Sequence, residues 1–189
     1  EDSFTVFEEI ASGLSKLSKV LSKTELIPGI HKIIENIFNP QVQKLGWKKI
    51  KNEKYTDSLL RPLALSMSGE AGNQKLIKEA KTKFESILKG GHIEADVRGS
   101  IYRLVAKNGG EKEFKQLINK YIAETLHEEK NRIGEALGCF KDPKILQKVC
   151  EFAFSKDVRS QDAIYMLIVV GSNSYGRDVW WNFIKKNWK

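Results

Sequence analysis

The stretch HEEKNRIGEALGCFKDPKILQKVCEFAFSKDVRSQD, from His127 to Asp162, constrains the fold of this chain more tightly than any other part of it. It reads as a helix, a turn, a second helix, a second turn and the start of a third helix. The first turn is Phe140-Lys141-Asp142-Pro143. Asp142 suits the N-cap of the next helix, and Pro143 suits its first position, where no backbone donor is missed. Ile145, Val149 and Phe152 then recur at i, i+4 and i+7, with Leu146, Cys150 and Ala153 beside them. That spacing predicts one apolar face. The second turn, Ser155 to Ser160, ends in polar residues able to cap again. Helices this short cannot bury such a face alone; paired and stacked, they are the unit of an α-solenoid.

Similar punctuation recurs along the chain. Ile10, Leu14, Leu17 and Leu21 predict a first helix over residues 4–22. Pro28 stands near the start of a second helix carrying Ile30, Ile33, Ile34 and Ile37, which is expected to break at Asn39-Pro40. A third covers residues 54–67 and either begins or kinks at Pro62. Asn73 suits the cap of a fourth, with Leu76, Ile77, Ala80, Phe84, Ile87 and Leu88 on one side and Gly90-Gly91 as terminator. Asp96 suits the cap of a fifth, which ends at Gly109-Gly110. The sixth carries Phe114, Leu117, Ile118, Tyr121, Ile122 and Thr125. The seventh and eighth are the pair around Pro143. A ninth, Ala163 to Val170, is apolar all round and is expected to be buried. Ser174 suits the cap of a tenth bearing Val179, Trp180, Phe183, Ile184 and Trp188.

About ten helices and no convincing strand predict an all-α fold, an α-solenoid of stacked antiparallel helix pairs of the HEAT/armadillo kind. Residues 1–189 read as a single helical-repeat domain. A start at Glu1 without Met and a stop just past Trp188 suggest a piece of a longer domain, whose next repeat would cover the stripe through Trp180 and Trp188.

Composition narrows the function. With 41% hydrophobic and 30% charged residues the chain is globular, not disordered. The net charge of +8 permits polyanion binding, but the lysines are spread out. Their densest cluster, Lys44, Lys48, Lys49, Lys51 and Lys54, surrounds the loop after Trp47 and reads as a solvated basic loop. No aromatic-and-basic nucleic-acid motif accompanies it, and Ala163 to Val170 is too short to cross a bilayer. Neither a nucleic-acid nor a membrane partner is expected. Cys139 and Cys150 are expected to be free thiols, which favours a reducing compartment.

No catalytic residue and no metal ligand emerges. The nearest approach to a zinc helix is His127-Glu128-Glu129-Lys130-Asn131. Two His ligands at i and i+4 share a helix face, and Asn131 stands where the second would be. His31 and His92 are remote in sequence, and neither cysteine has a visible His and acid arrangement. The polar candidates are arginines early on successive helices: Arg98, Arg132 and Arg159. In a solenoid, equivalent positions fall on one surface, where Arg would pair with carboxylates, including a peptide's C-terminus. The competing reading is structural, with these arginines bridged to Asp96, Glu128, Glu129 and Asp162.

An ordered set of short motifs resembles the C-terminal helical domain of puromycin-sensitive aminopeptidases, of the gluzincin family. The set comprises Lys44-Leu45-Gly46-Trp47, Leu59-Leu60-Arg61, Asp96-Val97-Arg98-Gly99-Ser100-Ile101-Tyr102, Glu128-Glu129-Lys130-Asn131-Arg132-Ile133, Val158-Arg159-Ser160-Gln161-Asp162, and Gly176-Arg177-Asp178 leading to Trp181-Asn182-Phe183. The resemblance implies a non-catalytic domain that closes a substrate cavity and helps select peptides. It implies a zinc site and a catalytic domain elsewhere in one cytoplasmic polypeptide, with peptides as substrates. It also implies that the turn before Ala163 lies on the inner wall of a bowl. There Ser160 would cap, Asp162 would complement the helix dipole, and Arg159 and Gln161 would meet the peptide, with Arg132 and Arg98 as further contacts. The alternative is a freestanding helical-repeat adaptor that binds a protein partner in its groove. The chain alone is expected to bind no stoichiometric zinc and to hydrolyse no aminoacyl reporter. Equimolar metal by elemental analysis, with chelator-sensitive activity, would contradict this.

Overall fold

The computed structural model describes residues 3–187, and among them it contains ten helices and no strand. In order they are α1 (Phe4–Val20), α2 (Ile27–Leu45), α3 (Tyr55–Glu70), α4 (Gln74–Leu88), α5 (Ala95–Lys107), α6 (Glu111–Ala123), α7 (His127–Leu137), α8 (Pro143–Ala153), α9 (Ser160–Ser172) and α10 (Arg177–Asn187). The chain divides into two compact units at a boundary within α5, the first ending at Leu104. Inside each unit helices pack on the next in the chain and on the one after that: α1 on α2 and α3, α7 on α9, α8 on α9 and α10. Packing of this kind is that of a helical repeat, in which each element is covered by its sequence neighbours. The expected all-α helical-repeat fold is therefore present.

In the first unit Phe7, Ala11 and Leu14 of α1 meet Ile34 and Phe38 of α2 and Leu60, Ala64 and Met67 of α3. The rings of Phe7 and Phe38 lie 5.9 Å apart. Helix α2 runs unbroken through Pro40, contrary to the expected break. Phe38 and Leu45, on either side of the proline, are both buried, so burial outweighs the lost hydrogen bond. Helix α3 likewise starts at Tyr55 and continues through Pro62, whose carbonyl accepts from the Ser100 hydroxyl at 3.0 Å. Asn73 caps α4 as expected, its Oδ1 accepting from the Leu76 amide at 3.1 Å. Past Lys89 the chain closes as a Schellman motif. Gly91 N donates to Ser86 O, Gly90 N donates to Ile87 O, and Gly90 takes the left-handed φ of 80° that glycine permits.

Arg61 is the polar centre of this unit. Its guanidinium forks onto the Glu53 carboxylate, one arm at 3.1 Å and the other shorter, while Nε donates to Leu45 O at 3.3 Å. Both side chains are 1% exposed. The Arg61 hydrogen bond holds the Glu53 carboxyl below its ordinary pKa, with desolvation opposing.

In the second unit Asp142 caps α8 as expected, accepting from Lys144 N at 2.8 Å, with Pro143 at the first helical position. Phe114 and Phe140 meet edge to face, as do Tyr121 and Phe152. Both cysteines are free; Cys139 is half-buried, and burial pushes the Cys150 thiol up to about 11. Several expectations need correction. Asp96 and Ser160 lie inside the first turns of α5 and α9 and do not cap them: α5 begins at Ala95, two residues earlier than a cap at Asp96 requires, and α9 at Ser160, one residue earlier. Ser174 does not cap the last helix, which starts only at Arg177; Asn173, the C-cap of α9, closes the intervening turn with its Oδ1 accepting from Tyr175 N. Thr125 lies beyond the end of α6, and Ile122 is exposed. Helix α9 is not enclosed: Ile164, Tyr165 and Ile168 are 57%, 59% and 54% exposed, while Ala163, Met166, Leu167 and Val170 are buried. Trp188, expected on the last apolar stripe, lies outside the described residues, and Phe183 is the buried residue of α10.

Replacing Arg61 by Ala strands the Glu53 carboxylate. The pair sits just beneath the surface at the root of an exposed loop, so the loss should fall near the low end for buried pairs, about 3 kcal/mol in urea unfolding. The wild-type contribution of Glu53 has a definite sign. Its folded pKa is depressed, so the stabilisation is complete above the unfolded-state value and is lost as pH falls through the folded one. Glu53→Gln should therefore flatten the acid limb of the stability profile.

Candidate functional site at the start of α9

Helices α7 and α9 approach closely because α7 carries glycine where they touch. A Cβ on Gly134 would lie 2.6 Å from Met166 Cε, and one on Gly138 would lie 2.7 Å from Val169 Cγ1 and 3.0 Å from Val170 N. N-terminal to this contact the helices frame a shallow recess of about 200 Å³ lined by Asn131, Gly134 and Glu135 of α7 and by Asp162, Tyr165 and Met166 of α9. Four of the six lining side chains are polar or carry a phenol, so the recess presents hydrogen-bonding groups around an apolar floor.

The turn that opens α9 supplies its electrostatics. Arg159 is the N-cap residue by backbone geometry, its carbonyl accepting from Asp162 N and Ala163 N. Its guanidinium is bidentate on the buried Asp162 carboxylate, Nε at 2.6 Å and Nη2 at 3.1 Å. This pairing strengthens the cation and raises the Arg159 pKa. Asp162 sits in the first helical turn, where the dipole favours a negative charge. On α7, Arg132 donates to the buried Glu129 at 2.9 Å and lies 3.7 Å from Glu128. The Tyr121 hydroxyl is buried within reach of the Asp162 and Arg159 charges, with no hydrogen-bond partner among the described residues. Burial first, then the negative Asp162, pushes its pKa up, so it remains a protonated donor.

The residues expected to bind substrate are thus placed as follows. Gln161 is exposed on the first turn of α9. Arg159, beside it, is partly exposed but committed to Asp162. Arg132 is half-buried and committed to Glu129. These three belong to the second unit. Arg98 belongs to the first, where its Nε donates to Ile93 O at 2.8 Å. Asn131, Glu135 and Tyr165 line the recess and were not singled out from the sequence. The signal that could have found them is the Gly134/Gly138 pair at i, i+4, which marks where a second helix must come close. The residues of the nearest zinc-like pattern do not fit a metal. His127 is exposed at the helix start, Glu129 is committed to Arg132, and Asn131 faces the recess. Among the described residues no three His, Cys, Asp or Glu side chains gather as a ligand set.

Adding a methyl group distinguishes the two glycines. Gly134→Ala meets only the Met166 side chain, Cε at 2.6 Å and Cγ at 3.3 Å, and gains helix propensity, so its stability should stay within about 1 kcal/mol of wild type while the recess narrows. Gly138→Ala meets backbone at Val170 and should cost about 1–3 kcal/mol by thermal or urea unfolding.

The profile of the ERAP1-like C-terminal domain family matches residues 1–189, the whole chain. Aminopeptidase M1 of Arabidopsis thaliana is 29% identical over 98% of this chain and 22% of its own length. Glutamyl aminopeptidase of Mus musculus is 27% identical over 100% of this chain and 20% of its own. Puromycin-sensitive aminopeptidase of Caenorhabditis elegans is 26% identical over 97% and 20%. The chain thus spans about a fifth of the length of the curated relatives it matches. With an all-helical repeat architecture and a profile match along its whole length, the chain belongs to the ERAP1-like C-terminal domain family.

Proposed function

We propose that this chain is the non-catalytic C-terminal domain of a zinc aminopeptidase, closing the substrate cavity and helping to select peptides. The observation that carries the reading is the match over residues 1–189 to a domain family whose matched relatives are aminopeptidases about five times its length. On this reading residues 1–189 act as one helical-repeat domain within a longer C-terminal region. The parent enzyme removes N-terminal residues from peptides, with zinc held outside this chain, and its catalytic domain is the partner. A cytoplasmic setting suits the two free thiols. No helix among the described residues is long and apolar enough to cross a membrane.

Within the domain, the α7–α9 recess and the turn that opens α9 are the substrate-facing elements we assign. Arg159 is held in a fixed geometry by Asp162, which neutralises most of its charge. Gln161 beside it offers one acceptor and two donor hydrogens, enough to engage a peptide backbone irrespective of side chains. Arg132, one helix away, and Arg98, in the first unit, are assigned supporting roles toward acidic groups of longer peptides.

The test uses the full-length enzyme. Gln161→Ala should lower kcat/KM on peptides several-fold while leaving single-residue reporter substrates, zinc content and melting temperature unchanged. Equal losses on both substrate types would remove the assignment.

A further inference from the structure

The most strongly charged projection in the chain lies outside the α7–α9 site, between α2 and α3. After Gly46, whose φ of 55° turns the chain out of α2, residues 48–52 are all exposed. The tip is locked as a closed turn. Ile50 O accepts from Glu53 N at 3.3 Å, Ile50 N donates to Glu53 Oε2 at 3.1 Å, and Asn52 takes the left-handed φ of 64°. Its base is pinned twice. Glu53 is gripped by buried Arg61, and Trp47 Nε1 donates to Glu79 at 2.7 Å with Lys83 over its ring. The projection is a finger closed at its tip and pinned at its base.

Its chemistry is one-sided. Glu53 is the one acid between Leu45 and Tyr55, and its charge is spent inward on Arg61. Outward stand Lys48, Lys49, Lys51 and Lys54, all exposed, of which Lys49 also feels the Glu53 charge. Among them Ile50 is 60% exposed and Tyr55, opening α3, is 78% exposed. All four cations are lysine and none is arginine. Arginine supplies the planar fork that reads a carboxylate or a base edge, whereas lysine is a point charge suited to a diffuse field. Lysine is also depleted in protein–protein interfaces. Basic residues around an exposed aliphatic and an exposed tyrosine match an anionic bilayer surface. There lysines meet headgroup phosphates while Ile50 and Tyr55 enter the interfacial layer.

We propose that the 48–55 finger, read from the sequence as a solvated basic loop, is a peripheral docking element for anionic lipid surfaces. It is independent of the peptide-binding role assigned to α9.

The experiment is cosedimentation of the full-length protein with large vesicles of phosphatidylcholine alone or with about a third phosphatidylserine. Binding to the anionic vesicles should exceed binding to neutral ones at least tenfold at 0.1 M salt and should fall steeply by 0.5 M, where charges are screened. Each lysine replaced by glutamine should weaken binding about fivefold, so that K48Q/K49Q/K51Q/K54Q abolishes it and K49Q/K51Q gives an intermediate loss. Ile50→Ser should cost about fivefold with its salt dependence retained. Melting temperatures should not move, since these side chains hold no part of the core. Equal binding to neutral vesicles, no binding to anionic ones, or unchanged binding by the quadruple variant would overturn the proposal. So would tighter capture by single-stranded RNA or polyglutamate, which would assign the finger to another polyanion.

Discussion

Helices of 11 to 19 residues can bury only one stripe each, and each stripe must be covered by helices near it in sequence. Everything else in the structure follows from this dependence. Tight connections keep neighbours adjacent, so α8 packs on both α9 and α10. It also explains why propensity yields to packing. Pro40 and Pro62 remain inside continuous helices because the residues around them, Phe38, Leu45, Leu60 and Ala64, are fully or nearly fully buried.

Close packing at helix ends leaves carbonyls without partners, and each unit resolves this with one buried or half-buried polar side chain. In the first, Arg61 donates to Leu45 O at the end of α2 while Glu53 compensates its charge. In the second, Asn173 donates to Gly138 O at 2.9 Å and Phe140 O at 2.7 Å, at the end of α7, and its own oxygen accepts from Tyr175 N. An ion pair and an amide do the same geometric task. The amide does it without the desolvation cost of a charge, and the arginine adds control over a loop 8 residues away in sequence.

Helix number, most boundaries, the Asn73 and Asp142 caps and the Gly90-Gly91 terminator were legible because each rests on local chemistry. What was not legible depends on tertiary company. Ile164, Tyr165 and Ile168 look like core by composition, yet whether a helix is covered on all sides depends on neighbours that its own sequence does not encode. Arg159 and Asp162 were visible as a possible pair, but only the backbone at the start of α9 makes the contact bidentate. The recess was invisible. It requires Asn131 and Glu135 on one helix to face Tyr165 on another across a gap that Gly134 and Gly138 set.

The use of cationic side chains separates the two surfaces. Arg61, Arg132 and Arg159 each fork onto or bridge a carboxylate that is itself buried, so their charge is cancelled where it stands. The net positive charge reaches solvent largely through lysines, most densely on the finger before α3. At the start of α9 the result is different: the recess presents Asn131, Glu135 and Tyr165, Gln161 is exposed on the adjoining turn, and the Arg159 and Asp162 charges are paired with each other. Such a surface offers donors and acceptors at fixed positions. A peptide presents just that pattern along its backbone whatever its sequence. A surface that must admit many peptides gains from cancelling its own charge, and the proposed role of α9 is consistent with the Arg159–Asp162 pair serving that end.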